Sequence, residues 1–121
     1  MSRAVALQAK FVNRYPRESC EIGIVHLGIG AFHRAHQAWY TDKLLSLCPG
    51  NWSISGVSLR NPNVRDQLAP QDGFYTLVEN DRNGQRMEVI GAVREVLCAP
   101  ECPPAVLTRL CHPETKIVSL T

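Results

Sequence analysis

The chain has 121 residues, 45% hydrophobic and 20% charged, an ordinary composition for one soluble globular domain and too short for multidomain machinery. Thirteen Lys and Arg against eleven Asp and Glu leave a formal charge of +2, and Glu18 and Glu21 interrupt the cations of the first forty residues, so no nucleic-acid or membrane-surface footprint forms. Five cysteines at irregular spacing (Cys20, Cys48, Cys98, Cys102, Cys111), no signal-like opening and no run of eighteen apolar residues lead to an expectation of reduced thiols in a cytoplasmic protein that does not cross a membrane.

Residues 1–20 mix short apolar pieces with Asn13, Pro16 and charges, and read as an approach segment with one short helix. Residues 21–27 are apolar at successive positions without polar alternation, as in a parallel strand covered on both faces, and they run directly into Gly28-Ile29-Gly30. From Phe32 to Cys48 there is no Gly or Pro, and Ala38, Thr41, Leu45 and Cys48 recur at helical spacing, which predicts one helix ended by Pro49-Gly50. Residues 52–59 predict a second strand in which Gly56 permits close approach, and Asn61-Pro62 stops it before a short helix closed by Pro70.

Two extended runs, 74–79 and 86–90, flank Asp81-Arg82-Asn83-Gly84, and the Asn-Gly pair predicts a hairpin turn. Residues 92–97 are extended or briefly helical. Pro103-Pro104 open a helix with Val106, Leu107 and Leu110 on its apolar stripe, and residues 116–121 form a last strand. The expected fold class is α/β: a partial Rossmann-like dinucleotide-binding domain over residues 21–121 with an inserted β-hairpin, its helices covering a mixed sheet.

A buried strand entering Gly28-Ile29-Gly30 and then a helix brings backbone amides close to a dinucleotide pyrophosphate. Gly28 permits the tight turn, Gly30 lets phosphate oxygens approach, and His33 stands where a third fingerprint glycine is usual. A tight connection in another α/β fold is the plainer reading of the same two glycines. No carboxylate ends the second strand. Arg60 stands there instead, suited to a 2′-phosphate or an adenine ring, or to nothing beyond solvent, while Asp66 is the first acid to follow. His33, Arg34 and His36 form the densest polar group near the turn, and His26 reads as a hydrogen-bonded core residue. Two histidines are not a metal site, no Cys-x-x-Cys pair organises the thiols, and P-loop, nucleophile-elbow and His-Glu-x-x-His motifs are absent.

The run from Ile24 through His26-Leu27-Gly28-Ile29-Gly30-Ala31-Phe32-His33-Arg34-Ala35-His36-Gln37 to Ala38 resembles the opening of the mannitol dehydrogenase family of long-chain polyol dehydrogenases. Gly56-Val57-Ser58-Leu59-Arg60, Arg65-Asp66, residues 70–77 and Ile117-Val118-Ser119-Leu120-Thr121 are similar to successive family segments. The resemblance implies a cofactor, NAD with NADP as an alternative, held at Gly28, Ile29, Gly30, Ala31, Phe32, His33 and Arg34 with Arg60 at the second strand, no metal, and no catalytic residue in this stretch. It also implies that the catalytic lysine and a helical substrate domain lie outside the matched stretch, so a polyol or sugar-acid substrate belongs to a full-length form and the 121 residues alone are expected to be inactive. Two classes follow: the N-terminal cofactor-binding portion of a mannitol 2-dehydrogenase-like or fructuronate reductase-like oxidoreductase, or a truncated remnant that binds nucleotide and catalyses nothing. A lysine-bearing helical domain in frame after Thr121 separates them.

Overall fold

The computed structural model describes residues 15–121. Four parallel strands form the main sheet in the order β5-β2-β1-β6: β1 (Ile22–Leu27), β2 (Ser53–Ser58), β5 (Val93–Cys98) and β6 (Ile117–Leu120). This is a Rossmann-like sheet, and it is wholly parallel rather than mixed, because the hairpin of β3 (Tyr75–Asp81) and β4 (Gly84–Ile90) makes a separate two-stranded antiparallel sheet. Residues 92–97, read as extended or helical, are strand β5 on the edge beside β2.

Strand alternation sends the core to two faces. Ile24 of β1 and Ile54 of β2 point one way, into a cluster with Ala38 and Leu45 of α2 (Gln37–Leu47) and Leu68 of α3 (Asn63–Leu68). Val25 and Val57 point the other way, against Val106 of α4 (Pro103–Leu110). Val25, Val57, Ile54 and Leu45 are fully buried, and burying each such side chain contributes roughly 1.5–3 kcal/mol. With both faces covered, β1 shows the apolar run that marked it in the sequence, while β2 buries Ser53, Ser55 and Ser58 among its apolar residues. Edge strand β6 is different: Ile117, Val118 and Leu120 are all exposed.

The helix predicted from Phe32 to Cys48 is two helices, α1 (Ala31–Ala35) and α2, broken at His36 (φ −119°, ψ −89°). The His36 N–H turns back to the His33 carbonyl at 3.2 Å, and its Nδ1 donates to the Phe32 carbonyl at 2.7 Å, so the imidazole takes a carbonyl that the helix would otherwise use. In the hairpin, Asp81 pairs with Gly84, so Arg82 and Asn83 are the loop residues and only Gly84, at the start of β4, has positive φ (+122°). The Asp81 carboxylate accepts the Asn83 N–H at 2.7 Å, and this Asx bond organises the turn that the Asn-Gly pair was expected to set.

Of the approach segment, residues 1–14 lie outside the described residues, so the predicted helix there does too, and the remainder holds a single 3-10 turn at Arg17–Ser19. Arg17 is 6% exposed. Its guanidinium donates to the carbonyls of Gly91 (2.7 Å), Asp72 (2.5 Å) and Val93 (2.9 Å), pairs with the Asp72 carboxylate and lies over the Phe74 ring, joining this segment to the link between hairpin and β5. Tyr15 adds a second tie by donating to Asp42 Oδ1 of α2 at 2.6 Å. The hairpin is held to α2 by Glu88, which pairs with Lys43 and accepts from the Trp39 indole.

Candidate functional site

β1 lies between β2, reached through α1 and α2, and β6, reached by the crossover through α4. The chain therefore leaves in opposite directions on either side of β1, and a crevice opens at the carboxyl ends of the strands there. The connection after Leu27 fills that place. Gly28 has φ +94°, a conformation that side-chain-bearing residues rarely adopt, and an added Cβ would meet the Thr121 carbonyl at 3.0 Å. Its N–H and that of Ile29 both donate to the Val57 carbonyl, at 2.8 and 3.1 Å, which closes the turn onto β2.

The Ile29 side chain is buried over Gly56, where a Cβ would fall 2.3 Å from Ile29 Cδ1, so the close approach that Gly56 permits is that of a side chain. Gly30 has extended backbone and nothing within 4 Å of an added Cβ: that direction is open. The first helical bond runs from the Arg34 N–H to the Gly30 carbonyl at 3.1 Å, so the amides of Ala31, Phe32 and His33 lie ahead of it. An open glycine followed by amides without helical partners offers backbone donors of the kind an anion takes.

A cleft of about 400 Å³ adjoins the turn, lined by Gly28, Ile29, Ser58, Arg60, Asn61 and Thr121 among others. The Ser58 hydroxyl is buried there and has no hydrogen-bond partner among the described residues. Sequence reasoning passed over Ser58 as an ordinary strand residue, since nothing in its neighbours signals that its oxygen is left unpaired. Arg60 is exposed on the rim of the same cleft. Asp66 faces away, bonded at 3.0 Å to Arg65, which also pairs with Glu101.

The other predicted residues divide. Phe32 is 65% exposed, its ring stacked on His36 with centroids 4.1 Å apart. The Arg34 guanidinium bonds the Gly30 carbonyl at 3.2 Å and sits 5.9 Å from the Tyr75 ring, while the Tyr75 hydroxyl donates to the Arg34 carbonyl. His33 is 2% exposed and turned inward, so its backbone, not its ring, stays with the turn. Its ring stacks on His26, which is itself buried and hydrogen-bonded, as read from the sequence. Burial, with smaller pushes from His26 and Arg34, lowers the His33 pKa to about 4, and burial also lowers that of His26. Among the described residues no three His, Cys, Asp or Glu side chains gather as metal ligands, all five cysteines are free, and no helix is long and apolar enough to cross a membrane.

The family model described as the mannitol dehydrogenase Rossmann domain matches residues 22–121. The chain is 44% identical to a mannitol 2-dehydrogenase of Pyrenophora tritici-repentis, over 96% of its own length and 21% of the relative's, and 42% identical to mannitol dehydrogenase 2 of Saccharomyces cerevisiae over 88% and 22%. Among solved structures, the ternary complex of Pseudomonas fluorescens mannitol 2-dehydrogenase with NAD and D-mannitol superposes with a TM-score of 0.89 at 41% identity, covering 100% of this chain and 26% of that one. A substrate-free D-sorbitol dehydrogenase gives 0.81 at 38% identity, covering 88% and 23%. The chain spans about a fifth of the length of the curated relatives it matches.

Proposed function

The chain belongs to the mannitol dehydrogenase family, and from that premise we propose that residues 21–121 form the cofactor-binding unit of an NAD(P)-dependent oxidoreductase interconverting a polyol or sugar acid and its keto form. The observation that carries this reading is the open Cβ direction at Gly30, at the carboxyl edge of β1 and beside a cleft that holds an unpaired buried hydroxyl. A pyrophosphate fits such a place, because the amides from Gly30 to His33 supply donors without the reorganisation that side chains would need. In this reading Gly28 and Ile29 shape the turn, Ala31, Phe32 and His33 contribute backbone, Arg34 braces the Gly30 carbonyl, and Arg60 with Ser58 meets the adenosine end. NAD is favoured by the likeness to the NAD complex, and Arg60 leaves NADP open.

Bound there, the dinucleotide supplies or accepts the hydride. The protein's share is to fix its nicotinamide in one orientation, and the alcohol proton needs a separate acid–base group. Among the described residues no lysine offers one: Lys43 is paired with Glu88, and Lys116 lies in the sheet-entry loop away from the cleft. The polyol chemistry is therefore assigned to the longer form typified by the relatives. Gly30→Val tests the reading by calorimetric titration with NAD: its side chain enters open space, so the fold stays intact while the dissociation constant rises tenfold or more, a loss of about 1.4 kcal/mol or greater. An unchanged constant removes Gly30 from the phosphate site. The 121-residue chain is expected to show no mannitol- or fructose-dependent turnover of NAD, and robust turnover overturns the assignment of the acid–base group elsewhere.

A further inference from the structure

Directly beneath the turn, His26 of β1 and His33 of α1 stack face to face, 3.8 Å between centroids and 15° between planes. Their nitrogens lie in a chain of bonds that reaches across the sheet. Gln37 Oε1 is 2.7 Å from His33 Nε2 and 3.3 Å from Ser119 Oγ; Ser119 Oγ is 2.7 Å from His26 Nδ1; His26 Nε2 contacts Thr121 Oγ1. With both imidazoles neutral, one arrangement of protons satisfies these links. The amide oxygen of Gln37 can only accept, so His33 Nε2–H and the Ser119 hydroxyl both donate to it. Ser119 then accepts from His26 Nδ1–H, and His26 Nε2 accepts from the Thr121 hydroxyl. Both rings are neutral in this scheme, with opposite tautomers.

We propose that His26 and His33 are positioning residues that, as a stacked neutral pair, hold the amide-bearing turn from Gly28 to Ala31 in register with the end of β6, and that the turn opens when His33 takes a proton. The clamp stands on its own geometry, and its consequence for dinucleotide affinity rests on the function proposed above. His33 is the sensitive partner because its Nδ1 is buried with no acceptor, so a proton added there has nowhere to bond. The groups facing the pair are Gln37 from α2 and the Ser119 and Thr121 hydroxyls from β6, all uncharged, and the charged side chain acting on it is the cationic Arg34 of α1. No side-chain carboxylate is among them to compensate an imidazolium, and in the 121-residue chain the α-carboxylate of Thr121 stays ionised from pH 5 to pH 8, so it adds no titration of its own to that range. Thr121 also lies against the turn: its N–H donates to the Leu27 carbonyl at 3.2 Å and its Oγ1 is 3.5 Å from the Gly28 carbonyl, so the chain of bonds ends on a residue that abuts the turn.

The shift supports the same picture. With His33 at about 4 in the closed turn and near 6.5 once released, the opening equilibrium rises about thirtyfold between pH 8 and pH 5. Ring nitrogen NMR of the 121-residue chain is expected to show His33 as the Nε2–H tautomer and His26 as the Nδ1–H tautomer, both neutral at pH 6. A charged His33 at that pH, or the opposite tautomer, overturns the proposal. Amide hydrogen exchange, corrected for intrinsic rates, reads the opening: the hydrogen-bonded amides of Gly28, Ile29 and Arg34 gain the thirtyfold, amides of α4 do not, and His33→Phe, which keeps a stacked ring and cannot titrate, flattens the response. A uniform rise across the chain, or no rise at these three amides, refutes local positioning, and the NMR result decides even where the variant fails to fold. NAD affinity measured over the same range falls in step with the exchange; absence of any NAD binding at pH 8 would count against the proposed function while leaving the tautomers to judge the clamp.

Discussion

Replacing Gly56 by alanine puts a methyl group where Ile29 already is. The added carbon would lie 2.3 Å from Ile29 Cδ1, 3.1 Å from its Cβ and 3.2 Å from its Cγ1. Rotation about the side-chain bonds can move Cδ1 and Cγ1 but not Cβ, which moves only with the backbone, so the Gly28–Ile29 turn lifts from β2 and strains its two bonds to the Val57 carbonyl. Overpacking of this kind costs about 1–3 kcal/mol. Ile29→Ala alone costs about 2–5 kcal/mol, through lost burial and the cavity it leaves. In the double variant the new methyl occupies the vacated space, so the two losses fall short of additivity by about 1 kcal/mol or more. Urea unfolding followed by tryptophan fluorescence measures the cycle, and NAD titration of the same four proteins locates the effect: Gly56→Ala weakens binding and the double variant recovers part of it. Additivity within about 0.5 kcal/mol would show that the contact between Ile29 and Gly56 does not set the height of the turn.

Other substitutions separate buried groups from exposed ones. Arg17→Met leaves the Gly91, Asp72 and Val93 carbonyls without their donor and is expected to cost about 3–5 kcal/mol in urea unfolding. Asp72→Asn, on the half-exposed side of the same pair, costs under about 1 kcal/mol, since Asn also tolerates the left-handed backbone there (φ 56°). At Asp42, the Tyr15 hydroxyl and the Gly91 N–H both end on Oδ1, so Asp42→Asn keeps both bonds, whereas Asp42→Leu orphans two buried donors at about 2–4 kcal/mol. Burial holds the Asp42 carboxyl above its usual range, so its contribution is greatest where it is protonated and falls as pH rises through the folded value. The stability of Asp42→Asn relative to the parent therefore improves between pH 4 and pH 7, and a difference that shrinks over that range contradicts the sign.

What the sequence disclosed of the fold follows from periodicity. β1 is apolar at nearly consecutive positions because it is sandwiched between helices, and Pro62, Pro70 and Pro103 mark helix limits because a missing N–H is tolerated only there. The break at His36 left no such mark: no glycine or proline is present, and the helix divides because one imidazole captures the Phe32 carbonyl. β5 was ambiguous because an edge strand half-covered by α4 has a mixed burial pattern, which in six residues cannot be told from a short helix. The Asn83-Gly84 pair marked the hairpin, and the register of β3 with β4 puts Arg82 and Asn83 in its loop and Gly84, with the positive φ, at the start of β4.

For the site, the legible part was the part made by backbone. Gly28 and Gly30 announce themselves because no other residue serves one position, and because a side chain would fill the space at the other. The side chains next to them share the motif but not its direction: Phe32 and His33 are adjacent, yet one is exposed and the other buried, since successive residues on a helix point about 100° apart. Whether His33 served a phosphate or the core could be settled only by knowing that β6 lies beside β1, bringing Ser119 and Thr121 some 90 residues onward to the His26 ring on which His33 stacks. A polar residue beside a glycine turn thus has two readings, and long-range strand order decides between them: with β6 in place the stacked imidazoles are linked to it through His26 and Gln37, and it is the amides that the proposed function gives to the ligand.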